Sequence, residues 1–465
     1  MNLEEIVAFA NREFESFRVE KEIPGVAFGI IHNGKLVYAS GLGERVLGSQ
    51  SKPQAETVFR IASMTKSFTA AAILKLRDRG LLELDARLAT YLPWTATIGV
   101  PANSAPITIR DLLTMGAGLP TDDPWGDRQE SLPLSDFDEM VKAGLTFNRN
   151  VNTGFEYSNL SYALLGRIIS QVTGEIYEDF MEREIFSPLG MHASTFISSE
   201  VSDEYRALGY ANFASGLTAE PFTTNGAFTP MGGLHSSVSD LAKWVLAFQS
   251  GRTEQQTPYR YAQSVVAKEF DGCPERIVVS SYGFGLFIDD DAKLGRFIHH
   301  SGGYPGFGSH MRWHPDSGFG IVALGNVTYA PMIFACQTIM NHIAALHMNS
   351  GHRKVELGTA TEAAMKVVNN LINTWDDAIA SEWFTENMDL DRPRAERIAD
   401  LQKLTSGKGA WKVVDGSLTG PTRSFAKWTV ESDGSTVEVE MLMSPEKSPK
   451  IQKLTFKSAS ESKAS

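Results

Sequence analysis

Apolar residues recur at helical spacing from the first positions of the chain: Ile6, Phe9, Ala10, Phe14 and Phe17 share one side of an amphipathic helix. After Pro24-Gly25 come two strand-like runs, AFGII and KLVYASG, joined by His32-Asn33-Gly34. Asn-Gly between apolar runs marks a hairpin. A polar segment to about Glu56 leads into SMTKSFTAAAILKLRDRG, an Ala- and Leu-rich helix closed by Gly80. From about 108 to 250 the pattern is mostly helical, in TIRDLLTM, SNLSYALLGRIISQVTG, IYEDFMEREIF and SVSDLAKWVLAF. Thr108 and Ser239 are expected as N-caps, and Gly174 and Gly251 as stops. Strands return between 277 and 328 as RIVVS, YGFGLFI, RFIHHSGG, SHMRWHP and FGIVALGN, and a helix from about Ala330 to His347 follows.

Residues 1–350 therefore carry strands at both ends and helices in the middle. The economical arrangement is an α/β sandwich in which one sheet is built from the two ends and the helices pack against it. GHRKVELG, at 351–358, is expected as a linker. Beyond it, 359–457 shows two helical stretches and then four strand-like runs, AWKVVD, SFAKWTVE, STVEVEMLM and KIQKLTFK: a small α+β domain. The polar tail, 458–465, is expected to fray.

Composition narrows the function classes. The 465 residues exceed one typical core, in keeping with two domains. A net charge of −12 disfavours nucleic-acid and anionic-membrane binding, which depend on clustered Lys and Arg. The N-terminus has acids where an export signal needs bases, and no run approaches a membrane span, so the expected compartment is the cytoplasm. The two cysteines, Cys273 and Cys336, form no C-x-x-C pair. A disulfide between them stays open, although isolated cysteines are mostly buried thiols. No H-E-x-x-H and no G-x-S-x-G elbow occurs, so neither a metal site nor an α/β-hydrolase fold is expected.

Chemistry is suggested by Ser63-Met64-Thr65-Lys66. A serine hydroxyl is a weak nucleophile and needs a base beside it. Positions i and i+3 share a helix face, which aims the Lys66 amine at Ser63. S-x-x-K also occurs at Ser49–Lys52, Ser424–Lys427, Ser444–Lys447 and Ser460–Lys463, but only Ser63–Lys66 opens an apolar helix. On its own it reads equally as a serine cap beside a surface lysine. Tyr157-Ser158-Asn159 offers a phenol that can carry a proton and an amide that can hold both lysine and substrate, though Tyr210–Asn212 repeats the spacing. His299-His300-Ser301-Gly302-Gly303 breaks an apolar strand with glycines, as strands do where a ligand comes close. Trp125, Phe155, Tyr282, Tyr304 and Phe307 flank these motifs and are candidates to line an acyl pocket.

Taken in order, the three elements resemble the S-x-x-K, Y-x-N and K/H-x-G motifs of the serine β-lactamase and D-alanyl-D-alanine carboxypeptidase superfamily. The segments FRIASMTKSFTAAAILKL, ITIRDLLTMGAGLP, FEYSNLSYALLGRIISQVTG, GGLHSSVSDLAKW and HSGGYPGFGSHMRWHP are similar to its class C-like branch, which includes D-aminopeptidases and esterases. The resemblance spans about residues 5–348. It implies Ser63 as nucleophile, Lys66 as general base, Tyr157 as proton shuttle, Asn159 as the group positioning Lys66, and His300 in the place of the third-motif base. It also implies an oxyanion hole at the N–H groups of Ser63 and Gly303. Gly302 and Tyr304, which lie beside Gly303 in the sequence, are expected substrate contacts, and no cofactor is expected.

His300 stands where β-lactamases and penicillin-binding proteins usually carry Lys. A histidine is mostly neutral near pH 7 and holds a substrate carboxylate less firmly. The expected activity is therefore acyl-enzyme hydrolysis of a small amide, D-amino-acid peptide or ester. The alternatives are acyl transfer to a small acceptor, β-lactamase or DD-carboxypeptidase activity, or an inactive scaffold. A homo-oligomer is a further possibility. The 359–457 domain carries no recognisable chemistry and serves either to border the cleft or to stabilise the assembly.

Overall fold

A computed structural model describes residues 2–267, 276–349, 357–420 and 422–458. The chain divides into two compact units, residues 1–350 and 351–465.

In the first unit, helix α1 (Leu3–Glu20) is capped by Asn2, whose side chain accepts from the Glu4 N–H, and it buries Ile6, Ala10, Phe14 and Phe17. Phe9 is half-buried and stacks on His342. Strands β1 (Gly25–His32) and β2 (Lys35–Gly43) turn through Asn33 and Gly34, both at positive φ, as the hairpin signal predicts. The other strands of the sheet are β3 (Arg260–Ala267), β4 (Arg276–Tyr282), β5 (Phe287–Asp291), β6 (Gly295–Tyr304), β7 (Phe307–His314) and β8 (Phe319–Gly325). Among the described residues they form an eight-stranded antiparallel sheet in the order β2-β1-β8-β7-β6-β5-β4-β3. The first hairpin thus pairs with the last strand, Val26 opposite Gly325, and the two ends of the unit close one sheet.

Strand β1 is buried on both faces, so it reads as a continuous apolar run rather than an alternation. Phe28 and Ile30 point into a core shared with α1 and with the helix Ile333–Asn349. Ala27 and Ile31 point the other way, into a larger core built by the helical middle of the chain. That middle contains α2 (Thr65–Asp78), α3 (Asn159–Thr173) and α4 (Val238–Gln249), so helices cover both faces.

Several boundaries differ from expectation. The cap of α4 is Ser237, whose hydroxyl accepts from the Asp240 N–H; Ser239 is the second residue of the helix and donates to Glu56. YGFGLFI is not one strand, because the chain reverses through Gly283–Leu286, with Gly285 at positive φ, between β4 and β5. The edge strand β3, RYAQSVVA, was not anticipated, because its apolar residues come in adjacent groups split by Gln and Ser rather than in alternation. Cys336 is a buried free thiol, while Cys273 lies outside the described residues.

The second unit has helices Thr359–Asn373, Asp377–Trp383, Glu386–Asp391 and Arg394–Thr405 and a sequential four-stranded antiparallel sheet, Lys412–Val413, Phe425–Ser432, Ser435–Met443 and Ile451–Ser458. Only two residues of the expected AWKVVD strand pair. Val368 and Leu371 pack on Trp428, Val439 and Met441 in its core. Of the expected linker only Leu357 and Gly358 are described, and 459–465 of the tail lie outside the described residues. No helix among the described residues is long and apolar enough to cross a membrane.

Candidate active site

Ser63 sits in a single 3₁₀ turn, Ala62–Met64, that runs directly into α2, with Ala62 held at φ 49°. A non-glycine residue in the left-handed region persists only where its surroundings hold it. Here they do. The Ile61 N–H donates to the Leu234 carbonyl, and the Ile61 carbonyl accepts from Ser309 Oγ at 2.6 Å. Thr65 Oγ1 bonds the Ala62 carbonyl at 2.6 Å. Strand β6 presses on the same turn through Gly302, where a Cβ would stand 2.1 Å from the Ile61 carbonyl oxygen. The close approach at Gly302 brings the next residue, Gly303, to the cavity beside Ser63.

Lys66, one turn on, is fully buried. Its Nζ donates to Ser63 Oγ (2.8 Å), Asn159 Oδ1 (2.6 Å) and the Met231 carbonyl (2.9 Å). The reading as a solvated surface lysine is thereby excluded. Burial pushes its pKa down to about 8, against the opposing pull of Asp123, Asp127 and Asp122. Asn159 opens α3, and Ser158 caps that helix through the Ser161 N–H. Asp122 reinforces the same end by accepting from the N–H groups of Asn159 (2.6 Å) and Leu160 (2.9 Å). The Asn159 amide nitrogen donates to Asp123 at 2.9 Å, which fixes its oxygen toward Lys66.

Tyr157 lines the same cavity as Ser63, and Lys66 Nζ lies 5.0 Å from its ring centroid. Burial holds its phenol well above the ordinary range, so it remains protonated and acts as a donor. His300 bonds the Ser301 carbonyl through Nδ1 at 2.6 Å and meets Tyr282 Oη at 3.2 Å through Nε2. A carbonyl only accepts, so Nδ1 carries the hydrogen and Nε2 accepts from the phenol. Burial and the Lys66 charge push His300 down to about 3. It forms part of the cavity wall with both ring nitrogens engaged.

Ser63, Tyr157, His300 and Gly303 line one cavity of about 370 Å³ together with Asp123, Pro124, Asp127, Phe287, Ser301 and Tyr329. A larger cavity of about 610 Å³, bordered by Glu56, Phe186, His192 and Tyr205, contains none of these groups. Two expected substrate contacts do not line the site. Gly302 is spent on the Ile61–Ala62 backbone, and Tyr304 is buried beneath the Arg60 guanidinium, 3.9 Å from its ring centroid. Trp125, Phe155, Tyr282 and Phe307 are likewise off the cavity wall: Trp125 packs edge-on to Phe228, and the others belong to the aromatic packing behind it.

The sequence reading missed Asp122, Asp123, Asp127, Phe287 and Tyr329. The run TDDPWGD, three acids around a proline turn, was the available signal for the first three. It also missed that His299 has a carboxylate partner, Asp289, at 2.9 Å. The arrangement has a hydroxyl, an amine of lowered pKa and a protonated phenol in mutual reach, beside backbone N–H groups: the equipment for attack on a carbonyl.

Comparison with known proteins agrees with this geometry. The Beta-lactamase family model matches residues 10–337. "Protein flp" of Staphylococcus aureus (strain MW2) is 29% identical over 318 residues, covering 67% of this chain and 61% of its own length. The chain thus spans about three fifths of that relative. "Penicillin-binding protein 4*" of Bacillus subtilis (strain 168) is 27% identical over 333 residues, 67% of this chain and 70% of its own. An octameric penicillin-binding protein homologue from Pyrococcus abyssi has the same fold, with TM-score 0.61 at 24% identity over 98% of this chain and 100% of its own. With a model spanning most of the first unit and motifs that converge on one cavity, the chain belongs to the Beta-lactamase family.

Proposed function

We propose that the protein hydrolyses small amides or esters through an acyl-enzyme on Ser63, with Lys66 as its base. One observation carries the reading. The Lys66 ammonium has three N–H groups and three acceptors: Ser63 Oγ, Asn159 Oδ1 and the Met231 carbonyl. The neutral amine has one N–H fewer and a lone pair. Of the three partners, only Ser63 has a hydrogen to offer, since the other two are carbonyl oxygens. Losing the lysine proton therefore turns the Ser63 O–H toward Nζ, which is the arrangement a general base requires.

Ser63 Oγ then attacks the substrate carbonyl as its proton passes to Lys66. The resulting oxyanion lies against the N–H groups of Ser63 and Gly303, and removing one such donor typically costs about 100- to 1000-fold in rate. As the intermediate collapses, Tyr157 gives its proton to the leaving group and regains one from Lys66. Water, deprotonated by the same amine, releases the acyl group and regenerates Ser63. Asn159 keeps Lys66 in place throughout, and His300 shapes the wall. Within the family this fits the class C-like branch.

We further read the protein as cytoplasmic and as a homo-oligomer; the octameric Pyrococcus abyssi homologue of the same fold supports the second point. The function is tested by Ser63→Ala: p-nitrophenyl ester hydrolysis should vanish while circular dichroism and unfolding midpoint stay as in the parent. Retained turnover in the folded variant would contradict it.

A further inference from the structure

Resting on the acyl-enzyme reading, we infer that the preferred substrate carries an ammonium group on its acyl side, held by Asp127 and Asp123: the protein acts on aminoacyl amides or esters rather than on compounds bearing a carboxylate.

The wall of the cavity has a one-sided charge. Its ten lining residues include Asp123 and Asp127 and no Lys or Arg. The cations of neighbouring segments are already engaged. Arg60 is buried in an ion pair with Glu130, Arg128 reaches Glu220 at 3.3 Å, and Lys66 stands behind Ser63 on its own three acceptors. A substrate carboxylate entering here would meet like charge and no counter-ion.

Asp127 is built into the wall. It is only 3% exposed, and Tyr329 Oη donates to its Oδ2 at 3.0 Å. Its Oδ1 has no hydrogen-bond partner among the described residues, although the residue borders the same cavity as Ser63. Tyr329 is itself fixed. It sits at φ 53°, and its ring fills the space over Gly303, where a Cβ would come within 2.8 Å of Cδ1. The missing side chain at Gly303 thus lets Tyr329 hold Asp127 across the cavity from the nucleophile. An oxygen left open to the cavity can accept from a bound ligand, and a charged donor meets it best.

The electrostatics agree. Burial raises Asp127 to about 7, so an arriving cation is what favours its charged form. Asp123 and Asp127 also hold up the pKa of Lys66. A substrate ammonium that neutralises them would remove that support and favour the neutral amine. Binding the right substrate would then ready the base.

The test uses the full-length chain and boronic acids, which form a tetrahedral adduct with an activated serine. Protection of Ser63 from fluorophosphonate labelling is measured for 1-aminoethylboronic acid, its N-acetyl derivative and 2-carboxyethylboronic acid. The amine should bind at least about tenfold tighter than the N-acetyl compound, the scale of one charged hydrogen bond, and the carboxylate weakest. In Asp127→Asn the advantage of the amine over the N-acetyl compound should fall below about threefold, and Asp127→Glu should restore part of it. Equal or tighter binding of the N-acetyl or carboxylate compound to the parent protein would overturn the inference. So would an unchanged preference in folded Asp127→Asn. If Ser63 is labelled by fluorophosphonate in these experiments, the acyl-enzyme reading survives that failure; if Ser63 is never labelled, both fall.

Discussion

Gly285 and Lys66 touch through their backbones: a Cβ at Gly285 would lie 2.6 Å from the Lys66 carbonyl oxygen and 2.8 Å from the Ser67 Cα. Gly285 also has φ +74°, in the turn between β4 and β5. The turn is therefore packed against the first turn of α2, and the position of the Lys66 amine depends on an absent side chain two hundred residues along the chain.

Gly285→Ala should accordingly act at the site. The methyl group meets backbone rather than a flexible tip, and the positive φ adds its own strain of about 1–2 kcal/mol. The expected outcome is a fall in kcat of at least about tenfold, since sub-ångström displacement of catalytic groups costs rate heavily. Ester hydrolysis by the purified variant checks this. Unaltered kcat would mean the contact has no part in placing Lys66.

The pH dependence follows from burial. Lys66 works only when neutral, and its pKa is pushed down to about 8. Below that value kcat/KM for a neutral ester should rise about tenfold per pH unit, then level off above it. The apparent value belongs to the interacting Lys66–Asp127 pair rather than to either group alone. His300, held at about 3, contributes no limb in the neutral range. A flat profile from pH 6 to 9, or a limb near 6.5 that disappears in His300→Gln, would point to a different base.

Much of this was legible in the sequence, for a reason that lies in periodicity. The hairpin at Asn33-Gly34, the apolar β1 and β8 and the cap at Thr108 each carry a local signal that the fold obeys. Ser63, Lys66, Tyr157 and Asn159 were readable because hydroxyl, amine, phenol and amide recur in a fixed order. The acids at 122–127 were not, because a short acidic turn looks the same whether it faces solvent or a cavity. Ser237 was passed over for Ser239 because both precede the same apolar run, and only the bond to the Asp240 N–H distinguishes them. Tyr304 was placed in the site by its nearness in sequence to Gly303. Its burial under Arg60 depends on Glu130, a partner from another segment.

That buried ion pair yields a stability prediction. Arg60 is 3% exposed and Glu130 not at all, and burial raises the Glu130 pKa. Glu130→Ala leaves the guanidinium without its counter-charge, which should cost about 3–5 kcal/mol. Urea unfolding monitored by tryptophan fluorescence measures this. A loss under about 1 kcal/mol, the scale of an exposed pair, would show that water replaces the carboxylate.

The most direct measurement is the site and rate of fluorophosphonate modification, followed by peptide mass spectrometry, in the parent protein and in Lys66→Gln. The expected result is a single adduct on the peptide containing Ser63, with the rate lowered at least about 1000-fold when the amine becomes an amide, as befits loss of the base that activates a serine. An adduct on another serine, or equal labelling of Ser63 without the Lys66 amine, would contradict the account.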